Sequence, residues 1–110
     1  MKTFNWDLFK DKNNKIAVYC KTENEAKDFC RKMHEHGLRW SSGRSYLIST
    51  YWGTYKTNMC YGNHGTYGDY SSFIVSDYSI LEWSNYMDEY QVETVEEFLM
   101  RIGRKIQSYE

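Results

Sequence analysis

Apolar positions follow two different patterns in the first third of this chain, and each pattern predicts an element. Residues 16–20 are a continuous apolar run, which is typical of a strand buried on both faces. Residues 22–37 repeat apolar positions at helical spacing, on a face that consists of Ala26, Phe29, Cys30 and Met33. Thr22 and Glu25 form a capping box at its start, and Gly37 suits a left-handed cap at its end. The pattern therefore predicts a central strand followed by an amphipathic helix.

The middle of the chain alternates short extended segments with turn residues. We predict strands or extended chain at residues 38–40, 45–52, 57–61, 66–70 and 80–83. Residues 62–65, Gly-Asn-His-Gly, predict a hairpin turn, because glycine and asparagine tolerate positive φ. Met59 and Tyr61 should face one side of their strand and Cys60 the other. Residues 71–79 are expected to be irregular, with one helical turn.

A second capping box, Thr94 to Glu97, predicts a C-terminal helix over residues 94–107. The predicted order β-α-β-β-β-β-α indicates one α+β domain over residues 1–110, in which residues 15–83 supply the sheet and the first helix. We expect a mostly antiparallel sheet of four to five strands. The N-proximal helix and the C-terminal helix should pack on one face of this sheet, and the opposite face, if left open, is where the surplus rings would lie.

The aromatic composition is unusual for so short a chain. Eleven tyrosines and four tryptophans are present, and most stand between residues 38 and 83 among Gly, Ser, Thr and Asn. Trp40 and Trp83 are candidates for the core. A core does not need so many hydroxylated rings, whereas a surface that is both apolar and wet does. We predict a recognition face with five anchors: Tyr51, Trp52, Tyr55, Tyr67 and Tyr70.

Charge is distributed unevenly although the net charge is −1. Residues 1–50 hold ten Lys and Arg against six Asp and Glu, and residues 57–100 hold no Lys or Arg. We name the carboxylates of that second stretch the acidic window: Asp69, Asp77, Glu82, Asp88, Glu89, Glu93, Glu96 and Glu97. A solvated acidic half explains this pattern, and so does a face complementary to a basic partner protein.

The motifs for chemistry are weak. Cys30 with His34 and Cys60 with His64 have the spacing of a zinc-ligand pair but lack a CxxC pattern, and three cysteines do not make a disulfide framework. No cysteine or serine lies in a nucleophile motif. We therefore predict a binding protein and not an enzyme, with no catalytic residue, no metal and no cofactor.

An anion site is the alternative that the residues leave open. Its candidates stand together in one turn: Arg39, Ser41, Ser42, Gly43 and Arg44. Hydroxyls, backbone N–H groups and guanidinium forks suit a phosphate, and single-stranded bases could stack on the nearby rings. The resulting alternatives are a single-stranded nucleic-acid binder and a nucleotide-binding or sequestering protein.

The chain also shows no apolar run at its start and no segment long enough to span a bilayer. We expect a cytoplasmic protein without a membrane partner. A homodimer through the tyrosine-rich face is a further alternative, since it would need the same composition.

Several segments carry a resemblance to a known group of proteins. They are residues 15–30, 37–43, 50–52, 60–61, 66–68 and 78–83. A strand ending in Cys-Lys-Thr, a helix rich in Glu and Ala, a Gly-x-x-Trp segment and an Ile-x-x-Trp segment resemble a small domain common among uncharacterised proteins of phages and prophages of Gram-positive bacteria. The likeness covers residues 15–83, and its motifs mark turns and strand ends without any catalytic signature.

The resemblance implies a setting. Small acidic phage proteins without cofactors are often inhibitors of host machinery, and anti-CRISPR proteins are the best-known group. The leading hypothesis is therefore a phage-encoded protein, working in the cytoplasm of the bacterial host, that inhibits a host defence nuclease by direct contact. A CRISPR effector is the expected target class, and the acidic window would face its basic surface.

Overall fold

The computed structural model describes residues 3–87. The predicted C-terminal helix and five members of the acidic window (Asp88, Glu89, Glu93, Glu96 and Glu97) lie outside the described residues. The described elements are, in order, α1 (Trp6–Lys10), β1 (Ile16–Tyr19), α2 (Glu23–Glu35), α3 (Trp52–Tyr55), β2 (Met59–Gly62), β3 (Thr66–Asp69), α4 (Tyr70–Val75) and β4 (Ser79–Glu82), with short 3-10 turns at Lys56–Asn58 and Trp83–Asn85. The predicted α+β class is confirmed. No helix between residues 3 and 87 combines the length and apolarity needed to cross a membrane.

The strands form one four-stranded sheet in the order β3-β2-β1-β4. β2 is antiparallel to β1 and to β3, whereas β4 is parallel to β1. The sheet is therefore mixed, and the prediction of a mostly antiparallel sheet is wrong. β3 and β4 run in the same direction on opposite sides of β1 and β2, so the chain must cross the sheet between them. Parallel strands require such a crossing connection, and here it contains α4.

The ends of α2 follow the sequence signals closely. The Thr22 hydroxyl accepts a hydrogen bond from the Glu25 backbone nitrogen at 3.1 Å. At the other end, Gly37 has φ of +79° and the Leu38 nitrogen donates to the Met33 carbonyl at 2.9 Å. Both caps satisfy backbone groups that the helix leaves unpaired. The predicted helix, with its two caps, is confirmed.

The two faces of the sheet have separate cores. On one face, α2 packs over a large cluster that includes Val18, Phe29, Met33, Met59, Tyr61 and both core tryptophans, Trp40 and Trp83. On the other face, Phe73 of α4 covers Ala17 and Cys60. The predicted division of β2, with Met59 and Tyr61 on one side and Cys60 on the other, is confirmed. This second face is not left open, because α4 packs there.

Residues 38–52 contain no strand, which contradicts the sequence prediction at 38–40 and 45–52. Serine and threonine side chains in this stretch accept hydrogen bonds from the backbone nitrogens two residues later. The donors are the nitrogens of Leu47 (to Ser45, 3.1 Å), Tyr51 (to Ser49, 3.1 Å) and Trp52 (to Thr50, 3.2 Å). Such local bonds offer the backbone an alternative to a sheet ladder. Turns and the short helix α3 therefore replace the predicted strands.

One buried side chain connects the hairpin to the loop before β1. Asn63 is 2% exposed, and its amide nitrogen donates to the carbonyls of Asp11 and Asn14 at 3.2 and 2.8 Å. Its amide oxygen accepts from the Ile16 nitrogen at 3.4 Å. The predicted hairpin turn at residues 62–65 is confirmed, and Asn63 fixes where this turn meets the rest of the fold.

Candidate binding surface

Three of the five predicted anchors come together beside the edge strand β3. Tyr51 and Tyr67 stack with their ring centroids 4.9 Å apart and 7° between their planes, and Tyr55 lies 6.3 Å from Tyr67. We call Tyr51, Tyr55 and Tyr67 the tyrosine cluster. Buried Trp40 meets Tyr51 and Tyr67 edge-on, at 5.3 and 5.7 Å. The cluster therefore rests on the core, so its rings are held in place while part of their surface stays accessible.

The backbone that carries the cluster is strained on both sides of α3. Tyr51 and Lys56 have φ of +55° and +49°, a region that residues with a side chain rarely occupy. Backbone strain of this kind costs on the order of 1–3 kcal/mol per residue and is concentrated at functional sites. Packing must offset this cost in free energy, and the Tyr51–Tyr67 stack is one of the packing contacts that do so.

The other two predicted anchors lie elsewhere. The indole nitrogen of Trp52 donates to the Cys20 carbonyl at 3.0 Å, which joins α3 to the end of β1. Tyr70 begins α4 and contacts Tyr19 at 5.0 Å, on the opposite face of the sheet from the tyrosine cluster. The structure therefore separates Tyr70 from the cluster, and it gives Trp52 a structural contact.

The described members of the acidic window do not form one patch. Asp69 ends β3 two residues after Tyr67, so both side chains point to the same side of the strand. Glu82 ends β4, which is at the same end of the sheet but at its far edge. Asp77 precedes β4, near the other end. Only Asp69 adjoins the tyrosine cluster among the described carboxylates of the window.

The predicted anion turn is closed by its own backbone. The Trp40 backbone nitrogen donates to the Arg44 carbonyl at 3.0 Å, the Ser41 nitrogen to the Gly65 carbonyl at 3.0 Å, and the Gly43 nitrogen to the Trp40 carbonyl at 2.8 Å. The Arg44 backbone nitrogen donates to the Ser42 hydroxyl at 3.4 Å. These N–H groups are therefore not available to an anion. Arg39 and Arg44 are exposed, so their side chains remain the positive groups of the turn.

A cavity of about 350 Å³ lies between this turn and the tyrosine cluster. It is lined by Trp40, Ser41, Ser42, Tyr51, Gly65, Thr66 and Tyr67. No sequence signal pointed to Gly65 and Thr66 at this site, because only the folded chain brings the hairpin against the 41–44 turn. Gly65 permits this contact, since a Cβ there would stand 2.6 Å from the Ser41 nitrogen.

Charge near the cavity is positive. Residues 36–68 contain Arg39, Arg44 and Lys56 and no Asp or Glu. The first carboxylate after this stretch is Asp69. The segment that carries the tyrosine cluster is therefore itself basic, and the acidic window begins where β3 ends.

The cysteines and histidines have structural surroundings. Burial raises the pKa of the Cys30 and Cys60 thiols to about 12, and it raises the pKa of Cys20 as well. Thiols that stay protonated are weak nucleophiles and weak metal ligands. Between residues 3 and 87, no group of three or more His, Cys, Asp or Glu side chains is arranged to hold a metal ion. His34 and His64 have hydrogen-bond partners at 3.2 and 3.0 Å, the Ser45 hydroxyl and the Lys12 carbonyl.

Comparison of the chain with protein-family models, with curated proteins and with solved structures gave no match. Evidence for the function therefore comes from the surface of the protein, and the surface feature that points most directly to binding is the tyrosine cluster.

Proposed function

We propose that this chain is a non-enzymatic binding protein that contacts a partner protein through the tyrosine cluster. The observation that carries the proposal is a set of three partly accessible rings, of which Tyr51 and Tyr67 stack on each other and pack against the core. Rigid aromatic side chains provide large contact area at a low entropy cost, and they dominate the energy of many interfaces. The proposal involves no catalytic step and no cofactor.

In the phage setting that the sequence resemblance implies, the partner is a host defence nuclease, with a CRISPR effector as the target class. The acidic window would then supply complementarity to lysines and arginines of the target. Asp69 is the described carboxylate that adjoins the cluster. The carboxylates outside the described residues supply the remainder in this proposal.

The first test is a pull-down of the tagged full chain from a lysate of its bacterial host, with and without nuclease treatment. Recovery of a defence nuclease in both samples supports inhibition by protein contact. Partners that are lost after nuclease treatment would instead indicate binding through nucleic acid. Recovery of the chain's own second copy alone would indicate a homodimer through the same rings.

Tyr55→Ala and Tyr70→Ala provide a matched pair of variants for this test. The two tyrosines are 40% and 38% exposed and lie on opposite faces of the sheet. If the cluster is the contact surface, Tyr55→Ala weakens partner binding by about thirtyfold, the effect of losing a hot spot of about 2 kcal/mol. Tyr70→Ala leaves binding unchanged. Equal effects of the two variants would show that the cluster is not the contact surface.

The electrostatic part has its own test. Neutralising Asp88, Glu89, Glu93, Glu96 and Glu97 together should slow association and reduce its dependence on salt, because rim charges act mainly on the on-rate. Unchanged association rates across salt concentrations would remove this part of the proposal and leave the ring contacts untouched.

A second candidate function is single-stranded nucleic-acid binding, and the charge of residues 36–68 favours it. Rings that stack bases work together with positive side chains that follow the phosphates, and this stretch combines the tyrosine cluster with Arg39, Arg44 and Lys56. A gel shift with single-stranded DNA or RNA tests it, and the absence of a shift at low salt would exclude it.

A further inference from the structure

The cavity beside Trp40 is open to solvent and has the volume of a small-ligand site. Its volume of about 350 Å³ lies within the range of such sites, which begins near 300 Å³. Its lining combines two aromatic rings, Tyr51 and Tyr67, with three hydroxyl-bearing residues, Ser41, Ser42 and Thr66. Flat apolar surface together with hydroxyl groups suits a ligand that is flat and carries hydrogen-bonding edges.

We infer that this cavity binds one nucleotide unit, with its base against the Tyr51–Tyr67 pair and its phosphate directed towards Arg44. Tyr51 and Tyr67 both line the cavity and are half-buried, so a base can lie against their accessible surface. Serine and threonine hydroxyls both donate and accept hydrogen bonds, and they therefore suit the polar edge of any base. This inference rests on the second candidate function and gives it a binding site, which shares Tyr51 and Tyr67 with the protein contact proposed above.

The charge beside the cavity selects against other flat ligands. Among residues 3–87 no carboxylate lines the cavity, and Arg39 and Arg44 stand on either side of the lining residues Trp40, Ser41 and Ser42 in the chain. A cationic ligand would meet repulsion from both guanidinium groups without a compensating anion. An anionic ligand gains charge-assisted hydrogen bonds from the same groups. Because the backbone nitrogens of Trp40, Ser41, Gly43 and Arg44 already donate within the protein, the arginine side chains hold the phosphate in this proposal.

The site is built before a ligand arrives. The Ser41 nitrogen donates to the Gly65 carbonyl at 3.0 Å, which fixes the turn against the hairpin, and the Trp40 nitrogen donates to the Arg44 carbonyl at 3.0 Å. Tyr51 is held at positive φ by its packing. A preformed cavity lowers the entropy cost of binding, because few side chains have to be ordered by the ligand.

The test is a titration of the full chain at low salt with two probes, a set of nucleoside monophosphates and a short single-stranded DNA oligonucleotide. Binding is measured by calorimetry and by the change in tryptophan fluorescence. Saturable binding of a monophosphate supports a site for free nucleotides. Saturable binding of the oligonucleotide alone supports a site for one nucleotide of a strand. The absence of saturable binding with both probes overturns the inference, whatever the pull-down shows.

Four variants assign the binding to this cavity. Tyr67→Leu should weaken binding by about 5- to 150-fold, the effect of losing one stacking ring, and Tyr67→Phe should retain it. Arg44→Gln should weaken binding by about tenfold, whereas Lys27→Gln removes an equal charge from the exposed face of α2 and should have no effect. Circular dichroism checks that each variant is folded. Equal affinity of Arg44→Gln and Lys27→Gln, or of Tyr67→Leu and the wild type, overturns the assignment.

Discussion

Asn63 offers the sharpest test of what holds the hairpin against the rest of the fold. The variant Asn63→Ala removes the side-chain amide and keeps the backbone bond from the Asn63 nitrogen to the Ile16 carbonyl. It leaves three backbone groups without their side-chain partner: the Ile16 nitrogen and the carbonyls of Asp11 and Asn14. These groups differ in burial, so the costs of losing their partner differ.

The magnitude follows from those surroundings. Ile16 is 7% exposed, and a buried N–H that loses its acceptor costs about 1–3 kcal/mol. Asp11 is exposed and Asn14 half-buried, so water can replace the lost donor at each carbonyl, at about 0.5–1.5 kcal/mol apiece. The Ile16 bond is long, at 3.4 Å, which favours the lower half of the total. We therefore expect Asn63→Ala to reduce the free energy of unfolding by about 2–4 kcal/mol.

Urea denaturation measures this loss. With an m value of about 2 kcal/mol per molar urea, the midpoint should fall by about 1–2 M without a change in m. Asn13→Ala is the control, because Asn13 is an exposed asparagine in the loop that Asn63 holds, and it should change the stability by less than about 0.5 kcal/mol. A loss below about 0.5 kcal/mol for Asn63→Ala would refute the idea that these bonds hold the hairpin.

The variant Asn63→Asp adds a pH dependence to the same site. The new carboxyl would face two carbonyls in a buried position, and both burial and repulsion raise the pKa of a carboxyl group in the folded state. Its unfolded pKa stays at about 3.9. The unfolded state therefore releases its proton first, and the variant should lose stability relative to wild type as the pH rises from about 4 towards neutrality. A constant difference in the free energy of unfolding over that range would contradict this reasoning.

Three further predictions concern the backbone, the core and the thiols. Gly65→Ala should destabilise the fold by at least about 2 kcal/mol more than Gly43→Ala. A Cβ at Gly65 would meet backbone atoms at 2.6 and 3.1 Å, whereas Gly43, also at positive φ, faces open space. Thermal denaturation compares the stabilities of the two variants. Trp83→Phe should cost about 1.5–3 kcal/mol more than Trp40→Phe in urea denaturation. The Trp83 indole nitrogen donates to the buried Asp28 carboxylate at 2.7 Å, whereas the Trp40 indole nitrogen has no partner among the described residues. Burial raises the pKa of the Cys30 thiol from 9.0 to about 12 in the folded state, so as the pH rises this thiol ionises first in the unfolded state. The free energy of unfolding should therefore fall between about pH 9 and 12, and Cys30→Ala should make this decrease smaller.

Each of these comparisons has an outcome that would count against it. Equal losses for the two glycine variants would mean that the hairpin and the 41–44 turn are not in close contact. Equal losses for the two tryptophan variants would mean that the indole bond in the α2 core adds nothing to ring packing. A pH profile that is the same with and without the thiol would assign the alkaline transition to other buried groups.

Local signals were sufficient where neighbouring residues decide the conformation. The capping box at Thr22 and the glycine at position 37 fix the ends of α2, because the groups they satisfy lie within four residues. The hairpin at residues 62–65 also follows from local chemistry. The two sides of β2 follow from the alternation of side chains along a strand.

Local signals misled where side chains competed with strand pairing. Residues 45–52 carry Tyr46 and Ile48 at the spacing of a strand face, yet serine and threonine side chains accept hydrogen bonds from the backbone and turn the chain. The parallel pairing of β4 with β1 was also not predictable from the residue pattern. Strand direction depends on how α4 crosses the sheet, and no pattern within β4 encodes that path.

The sequence by itself determined the α+β class, the central strand, the amphipathic helix and its caps, the hairpin, and the presence of many rings that a core does not require. Only the tertiary structure decided which of those rings act together. It stacks Tyr51 on Tyr67, places Tyr70 on the opposite face and closes the cavity with Gly65 and Thr66. The physical reason is that these residues are far apart in sequence. Composition gives the number of rings, but the contacts among residues 40, 51, 65 and 67 form only when the turns and the sheet bring them together.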